Sequence, residues 1–247
     1  MNDYHMPVLP TDDQQPEAAS RHEIVRRKGT SSLTPVQLEA RSLIQRDAVA
    51  RPEVDAFREL RTKLLAMGDG NSITLVVPVS EGSGGSFVSR NLAAALAFEE
   101  SRTALLIDCD LRSPSQHATL QVAPDHGGLI DYLDQPAKDL AEVIYDTGMA
   151  GLQLLPAGTT PAVGGEYFSS FRMRLLLDTL RSHDPDRRIV LDGPPVRGTP
   201  DARILADLAD IVVLVAGYGR DTPSAIAQAA ASFAPEKFAG VVFNEGV

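Results

Sequence analysis

Short apolar runs separated by helical patterns fill the chain from about residue 72 onwards. Continuous rather than alternating apolar residues are typical of parallel strands covered on both faces, and such strands need crossovers, usually helices. The predicted strands span residues 73–77, 104–108, 152–156, 188–192, 211–216 and 240–243. The pattern therefore predicts an α/β protein with a doubly wound, mostly parallel sheet and helices on both faces.

Helix signals lie between these runs. Apolar residues recur at helical spacing over 87–96 and 173–180, which predicts two amphipathic helices. Thr199-Pro200 and Thr222-Pro223 are typical of a helix N-cap followed by proline at the first helical position. We therefore expect a further helix after each of these pairs.

The N-terminal part of the chain has a different pattern. Thr34-Pro35 predicts a short helix that carries Val36, Leu38, Leu43 and Ile44. A second helix is predicted over 53–67, because apolar residues recur there every three or four positions. The expected organisation is a flexible polar tail over 1–33, N-terminal helices over 34–70, and an α/β domain over 71–247.

Composition narrows the possible partners. The 247 residues are 43% hydrophobic and 23% charged, which is typical of a globular protein. The net charge of −10 argues against a nucleic-acid-binding protein and against a basic membrane-binding surface. Cys109 is the single cysteine, so an intrachain disulfide is excluded. No apolar run approaches the roughly 20 residues that span a bilayer, so we expect a cytoplasmic protein that reaches a membrane only through a partner.

A glycine-rich loop over 79–86 joins the first predicted strand to the next helix. It follows in part the phosphate-binding template G-x-x-x-x-G-K-[ST], in which backbone N–H groups, a lysine and a hydroxyl hold phosphates and magnesium. Gly84 and Ser86 match this template, whereas Val79 and Gly85 do not. Gly85 adds flexibility and no charge.

Two further strand ends carry carboxylates. Asp108 and Asp110 stand two residues apart, so they are expected to point the same way and share a metal-water network. The guanidinium group of Arg112 could form two parallel hydrogen bonds to a phosphate or to a partner. Asp192 is expected to hold magnesium through water. Because the carboxyl ends of parallel strands meet at one edge of a sheet, these segments together predict a P-loop NTPase-like nucleotide site.

Residues 53 to 245 resemble the bacterial tyrosine autokinases of capsule and exopolysaccharide synthesis. The resemblance is carried chiefly by DAFRELRT at 55–62, the loop at 79–86, LLIDCDLRSP at 105–114 and VLDGPPV at 190–196. The segments at 154–158, 173–181 and 241–245 also look like the family. It implies ATP or ADP with Mg²⁺ as cofactors. It also implies a protein-tyrosine kinase activity.

The resemblance assigns roles to individual residues. The implied nucleotide-binding residues are Gly82, Ser83, Gly84, Gly85, Ser86, Phe87, Arg112 and Asn244. Ser86, Asp108 and Asp192 would hold the metal, and Asp108 or Asp110 would be the catalytic base. Asp55, Arg58 and Arg61 would contact a neighbouring subunit in a homo-oligomer. The implied partner is the cytoplasmic end of a membrane-bound polysaccharide chain-length regulator, which would hold the protein at the inner face of the plasma membrane.

The family's loop lysine is replaced by Gly85. A charge-assisted hydrogen bond contributes about 1.5–3 kcal/mol, so nucleotide affinity is expected to fall roughly tenfold to a hundredfold. The sequence has no lysine between Lys63 and Lys138 that could substitute. Arg90 is expected to point away from the loop, which leaves Arg58 or Arg61 of a neighbouring subunit as the alternative cation.

Three functions remain open from the sequence. The first is an ATP-dependent tyrosine kinase of polysaccharide assembly. The second is a non-catalytic pseudokinase or scaffold that controls export by docking on the membrane partner. The third is a partitioning-type ATPase switch, which the missing signature lysine and the segment at 55–62 disfavour.

Overall fold

One sheet organises the part of the chain that the computed structural model describes, which is residues 33–46, 51–68, 71–99, 102–159 and 165–245. Its seven strands run in the order β3-β4-β2-β5-β1-β6-β7, and all neighbours are parallel except β3 and β4. The strands are β1 Ile73–Pro78, β2 Thr103–Asp108, β3 Tyr145–Asp146, β4 Leu152–Leu155, β5 Arg187–Asp192, β6 Ile211–Gly217 and β7 Phe238–Asn244. The predicted doubly wound sheet is confirmed, and the predicted tail lies outside the described residues except for Leu33.

Helices cover both faces of this sheet. They are α1 Pro35–Ala40, α2 Pro52–Met67, α3 Gly85–Ala97, α4 Gln116–Leu120, α5 Leu129–Asp134, α6 Gly165–Ser169, α7 Phe171–His183, α8 Asp201–Leu208 and α9 Pro223–Ala230. Leu75 packs in one core with Leu176 of α7, whereas its neighbour Val76 packs in a second core with Leu92 of α3. Both faces of β1 are therefore buried, which explains why every residue of the strand except Thr74 is apolar.

The three predicted Thr-Pro helix starts are not equivalent. Thr34 and Thr222 are N-caps whose hydroxyls accept hydrogen bonds from the N–H groups of Gln37 and Ala225. Thr199 is not a cap, because α8 begins one residue later than predicted and Pro200 takes the N-cap position. The Thr199 hydroxyl instead accepts from the N–H of Asp201 at 3.0 Å, which closes a turn ahead of the helix.

The first helix is shorter than the sequence pattern predicts. It ends at Ala40, and Ser42 then adopts a positive φ of 51° that turns the chain. Leu43 and Ile44 are buried in the following non-helical segment, while Val36 is 74% exposed. The prediction that one helix carries all of these residues is wrong, since the helix ends before the turn at Ser42, and the apolar pair after that turn lies in the core.

A buried asparagine fastens this segment to the helix after the glycine-rich loop. Asn91 of α3 accepts a hydrogen bond from the Ile44 N–H at 2.8 Å and donates one to the Ser42 carbonyl at 2.9 Å. Its side-chain amide therefore pairs two backbone groups that burial would otherwise leave without partners. The N-terminal segment and α3 consequently share a single core.

We expect Asn91→Ala to lower the free energy of unfolding by about 1–3 kcal/mol, because it leaves buried backbone groups of the 42–44 segment unpaired. Urea denaturation measures this, with exposed Gln228→Ala of α9 as the control. Equal stability of the two variants would show that the segment is not held by Asn91.

Candidate functional site

The glycine-rich loop connects β1 to α3 at the carboxyl edge of the sheet. Gly82 and Gly84 adopt φ values of 77° and 89°, which side chains other than glycine rarely take. Gly84 is the N-cap of α3. The first N–H groups of that helix lack partners within it, so the loop offers donors to an anion.

Asn244, at the end of β7, packs against this loop. Its side-chain nitrogen donates to the Ser83 carbonyl at 3.3 Å. A β-carbon on Gly84 would collide with the Asn244 amide, so a glycine is needed there for space as well as for conformation. The structure thus brings together two parts of the predicted nucleotide site, Ser83 and Asn244, that are 161 positions apart in the sequence.

Gly85 is a glycine for a reason that the sequence did not reveal. A β-carbon built on Gly85 would lie 2.6 Å from Cδ and 2.9 Å from Cγ of Pro78. Such distances are too short for any side chain. The Pro78 ring, at the last position of β1, therefore occupies the start of the path that a lysine at position 85 would follow.

Two carboxylates lie side by side below the loop. Asp108 and Asp192 are paired residues at the ends of β2 and β5, and both are fully buried. Asp108 accepts hydrogen bonds from the N–H groups of Ser115 at 3.1 Å and Gln116 at 3.0 Å through one oxygen. Its other oxygen accepts from the N–H of Asp110 at 3.3 Å. Asp108 thereby anchors the start of α4.

Gln116 and Arg90 complete this cluster, and neither was predicted as a site residue. Gln116 donates to Asp192 at 2.6 Å, while Arg90 donates to the Gln116 side-chain oxygen at 3.0 Å and to the Ser86 carbonyl at 3.2 Å. The expectation that Arg90 points away is wrong, because its side chain folds back along α3 and is buried beside the carboxylates. No sequence motif marks Gln116, since its role depends on where α4 begins.

Asp110 and Arg112 occupy the rim of the cluster. The strand β2 ends at Asp108, so the alternation expected to align Asp110 with it does not apply. Asp110 lies in the following turn and is half-buried, accepting from the N–H groups of Arg112 and Ser113. The Arg112 side chain is largely exposed, and its Nε lies 3.9 Å from a carboxylate oxygen of Asp201.

Burial raises the pKa values of the carboxyl groups in this cluster. It raises the pKa of Asp192 to about 6, although hydrogen bonds from Gln116, Ser86 and Ser89 act in the opposite direction. Burial, and then the charge of Asp192, raise the pKa of Asp108 well above its usual range. The pKa of Asp110 is also raised by burial, with a smaller contribution from Glu81 of the loop. These three carboxyls therefore keep their protons to a higher pH than exposed aspartates do.

The cluster contains a free acceptor that suits a hydrated magnesium ion. One oxygen of Asp192 is buried without a hydrogen-bond partner, on the carboxylate that also interacts with Ser86. No group of three His, Cys, Asp or Glu side chains in the described ranges is arranged to hold a metal by itself. Mg²⁺ commonly takes only one or two carboxylates and completes its shell with water and phosphate. The Ser86, Asp108 and Asp192 set fits that requirement.

A segment after β6 also contacts the loop, and the sequence reading did not include it. Asp221 accepts hydrogen bonds from the hydroxyls of Ser80 and Ser83, the second at 2.7 Å, and from the N–H of Gly217 at 2.8 Å. The neighbouring Arg220 lies over Gly82. The sequence signal that could have identified Asp221 is its position between the end of a predicted strand and the predicted N-cap Thr222.

A cleft of about 850 Å³ opens on one side of the loop. Gly82, Gly84, Phe87 and Asn244 line it from the loop side. The 42–45 and 51–54 segments line it from the other side, and the three aspartates are not among its lining residues. This volume is in the usual range for a small-molecule site.

The predicted subunit-contact residues lie on α2. Asp55 and Arg58 are exposed and form an ion pair of 3.1 Å. Arg61 is less available for such a contact, because it is half-buried and donates to the Ala95 carbonyl of α3 at 3.2 Å. Asp55 and Arg58 therefore form the accessible part of this helix face.

No family model matches the chain, but individual proteins do. Tyrosine-protein kinase Etk of Escherichia coli K12 is 34% identical over 179 residues, which are 71% of this chain and 24% of the relative. Tyrosine-protein kinase CpsD of Streptococcus agalactiae is 29% identical over 198 residues, which are 79% of this chain and 85% of the relative. The chain spans only 24–32% of the length of several curated relatives.

Solved structures agree with these sequence matches. The kinase domain of the E. coli tyrosine kinase ETK has 30% identity and a TM-score of 0.73, with 89% of this chain and 82% of that domain covered. The cell division ATPase MinD of Pyrococcus furiosus has 23% identity and a TM-score of 0.55, covering 71% of this chain and 72% of that chain. The second likeness bears on the fold alone, and it confirms the P-loop ATPase-like class.

The buried carboxylate pair predicts a pH dependence of stability. The unfolded Asp192 carboxyl loses its proton near its usual value, 3.8, and the folded one near 6, so folding takes up a proton between these values. The free energy of unfolding should fall as pH rises through 6. Asp192→Asn should therefore be more stable than the native chain at pH 8, by on the order of 2–3 kcal/mol, and similar to it at pH 4.

Urea denaturation at several pH values measures this difference. Asp178→Asn provides the control, because it makes the same charge change at an exposed position of α7. A native chain and an Asp192→Asn variant with the same pH profile would contradict the assignment of a buried, protonatable carboxyl.

Proposed function

Because this chain belongs to the bacterial tyrosine-protein kinase family of capsule and exopolysaccharide biosynthesis, we propose that it binds Mg·ATP at the glycine-rich loop and acts in polysaccharide assembly. One observation carries the proposal. The donors of the loop and the carboxylates of Asp108 and Asp192 converge at the carboxyl ends of β1, β5 and β2. Anion donors beside a magnesium-type carboxylate pair suit a metal-bound polyphosphate.

Each part of the site has a role in this proposal. The N–H groups of the loop hold the phosphates, and the cleft beside Asn244 holds the base and ribose. Ser86, Asp108 and Asp192 hold Mg²⁺, which would neutralise charge on the phosphates. Asp110 suits the role of base better than Asp108, since it is half-exposed whereas both oxygens of Asp108 already accept hydrogen bonds from backbone N–H groups.

Phosphoryl transfer depends on positive charge at the transferring group. Gly85 supplies none, and Pro78 blocks the path of a side chain there. Removing one preorganised stabilising group from an active site slows a reaction by on the order of 100- to 1000-fold. We therefore propose that the chain binds Mg·ATP but transfers phosphate to tyrosine much more slowly than a kinase that keeps the lysine.

Two variants test this proposal. Gly85→Lys alone should be destabilised and gain little activity, because its β-carbon meets Pro78. Pro78→Ala/Gly85→Lys removes the two closest ring atoms, so it should bind Mg·ATP roughly tenfold to a hundredfold more tightly and gain phosphotyrosine formation. Calorimetric titration with Mg·ATP and radiolabel transfer to tyrosine are the measurements.

Ala227→Lys is the matched control, because it adds the same charge at an exposed position of α9. Absence of Mg·ATP binding by the native chain and by the double variant would refute the nucleotide site. Fast tyrosine phosphorylation by the native chain would refute the proposed loss of transfer rate.

The contact between Pro78 and Gly85 also favours a second function, a non-catalytic subunit. In this role the chain docks on the cytoplasmic end of a membrane-bound chain-length regulator and controls export by assembly. No helix in the described ranges is long and apolar enough to cross a membrane. We propose that the membrane partner holds the protein on the cytoplasmic side, at the inner face of the plasma membrane. Partner binding that survives Asp110→Asn, with polysaccharide export intact, would favour this role over catalysis.

The exposed face of α2 is the proposed contact between copies. Arg58→Glu should abolish self-association in the presence of Mg·ATP, because it reverses a charge on that face. Lys63→Glu, an exposed charge reversal on the same helix, should leave it intact. Sedimentation velocity measures the species formed. A native chain that stays monomeric at all concentrations, or equal effects of both reversals, would contradict the proposal.

A further inference from the structure

The turn after β6 places an arginine against the phosphate loop. Gly217 ends the strand, and the N–H groups of Arg220 and Asp221 donate to its carbonyl at 3.1 Å and 3.0 Å. This closes a tight turn in which Gly219 takes a positive φ of 70°. The Asp221 carboxylate then bonds to the hydroxyls of Ser80 and Ser83 in the loop. The turn is therefore fastened to the loop through its own side chain.

Glycines allow the two segments to approach closely. A β-carbon on Gly82 would lie 3.2 Å from both Cζ and one terminal nitrogen of Arg220. A β-carbon on Gly217 would lie 3.2 Å from Cα of Ser83 and from Cβ of Arg220. The guanidinium consequently lies over Gly82, in the loop that leads to the free N–H groups at the start of α3.

The acidic side chains near the loop would repel a phosphate, so a positive charge beside Gly82 would favour its binding. Glu81 and Asp110 are close enough for Glu81 to raise the pKa of Asp110. Arg90 is buried below the loop and donates to Ser86 and Gln116, so its positive charge lies beside the Asp108 and Asp192 carboxylates and is not available to a phosphate. Arg220 is exposed, and its hydrogen bond to the Glu81 carbonyl is long, at 3.4 Å. A phosphate on the loop would offer this guanidinium a stronger partner.

We propose that Arg220 binds the phosphates of the nucleotide and supplies positive charge for binding, without replacing a lysine at position 85 in phosphoryl transfer. This inference rests on the proposed Mg·ATP site. Asp221 is the positioning residue, because its bonds to the loop hydroxyls hold the turn in place. Arginine suits the role, since its planar fork can bind two phosphate oxygens at once.

The test is the affinity for Mg·ATP and for adenosine, measured by calorimetry. Arg220→Ala should weaken Mg·ATP binding roughly tenfold while leaving adenosine binding unchanged, since only the phosphates carry charge. Arg220→Lys should retain part of the affinity. Arg174→Ala, which removes an exposed charge from α7, should have no effect.

The positioning role has its own measurement. Asp221→Asn should weaken Mg·ATP binding in the native background but cause little further loss in Arg220→Ala, because both changes remove one contact. Thermal unfolding of the nucleotide-free Arg220→Ala variant should match that of the native chain.

The outcomes separate this inference from the function on which it rests. If the native chain does not bind Mg·ATP, both are overturned. If the native chain binds Mg·ATP and Arg220→Ala binds it equally well, the site stands and the role of Arg220 is overturned. Equal losses of adenosine and Mg·ATP affinity would also overturn it, because they would mean a damaged loop rather than a lost phosphate contact.

Discussion

The neighbouring carboxylates of Asp108 and Asp192 are buried at the ends of two adjacent strands, where water cannot solvate them. A buried charge is costly unless it is paired and hydrogen-bonded. The start of α4 supplies backbone donors to Asp108, and Gln116 supplies its amide to Asp192. Arg90 in turn fixes the orientation of that amide by donating to its oxygen. The geometry of α3 and α4 below the loop therefore depends on satisfying this pair.

Most of the fold could be predicted because its signals are local. Apolar runs buried on both faces and helices with one apolar stripe are visible in any short window of sequence. The two-residue β3 and the turn at Ser42 were not predictable in this way. The burial of Leu43 and Ile44 in an extended segment depends on Asn91, which lies 47 positions further along the chain from Ile44.

The candidate site was predictable where chemistry follows a strand end. Asp108, Asp192 and the loop glycines were identified because carboxyl ends of parallel strands converge. Gln116, Arg90 and Asp221 were not, since each acts through a long-range contact that no spacing rule encodes. The same limit applies to Gly85, because its close approach to Pro78, at the end of β1, is a tertiary contact that the sequence does not show. The two arginines near the loop differ in burial, which the sequence does not show. Arg90 is buried beside the carboxylates, whereas Arg220 is exposed.

The contact between Pro78 and Gly85 has a consequence for how this loop changes over generations. Any residue larger than glycine at position 85 meets the proline ring, so a single substitution there strains the loop whatever its effect on chemistry. A lysine at position 85 therefore fits only after the proline is replaced, and replacing the proline alone adds no charge to the loop. Sign epistasis of this kind makes the absence of the lysine hard to reverse by drift or selection on single substitutions.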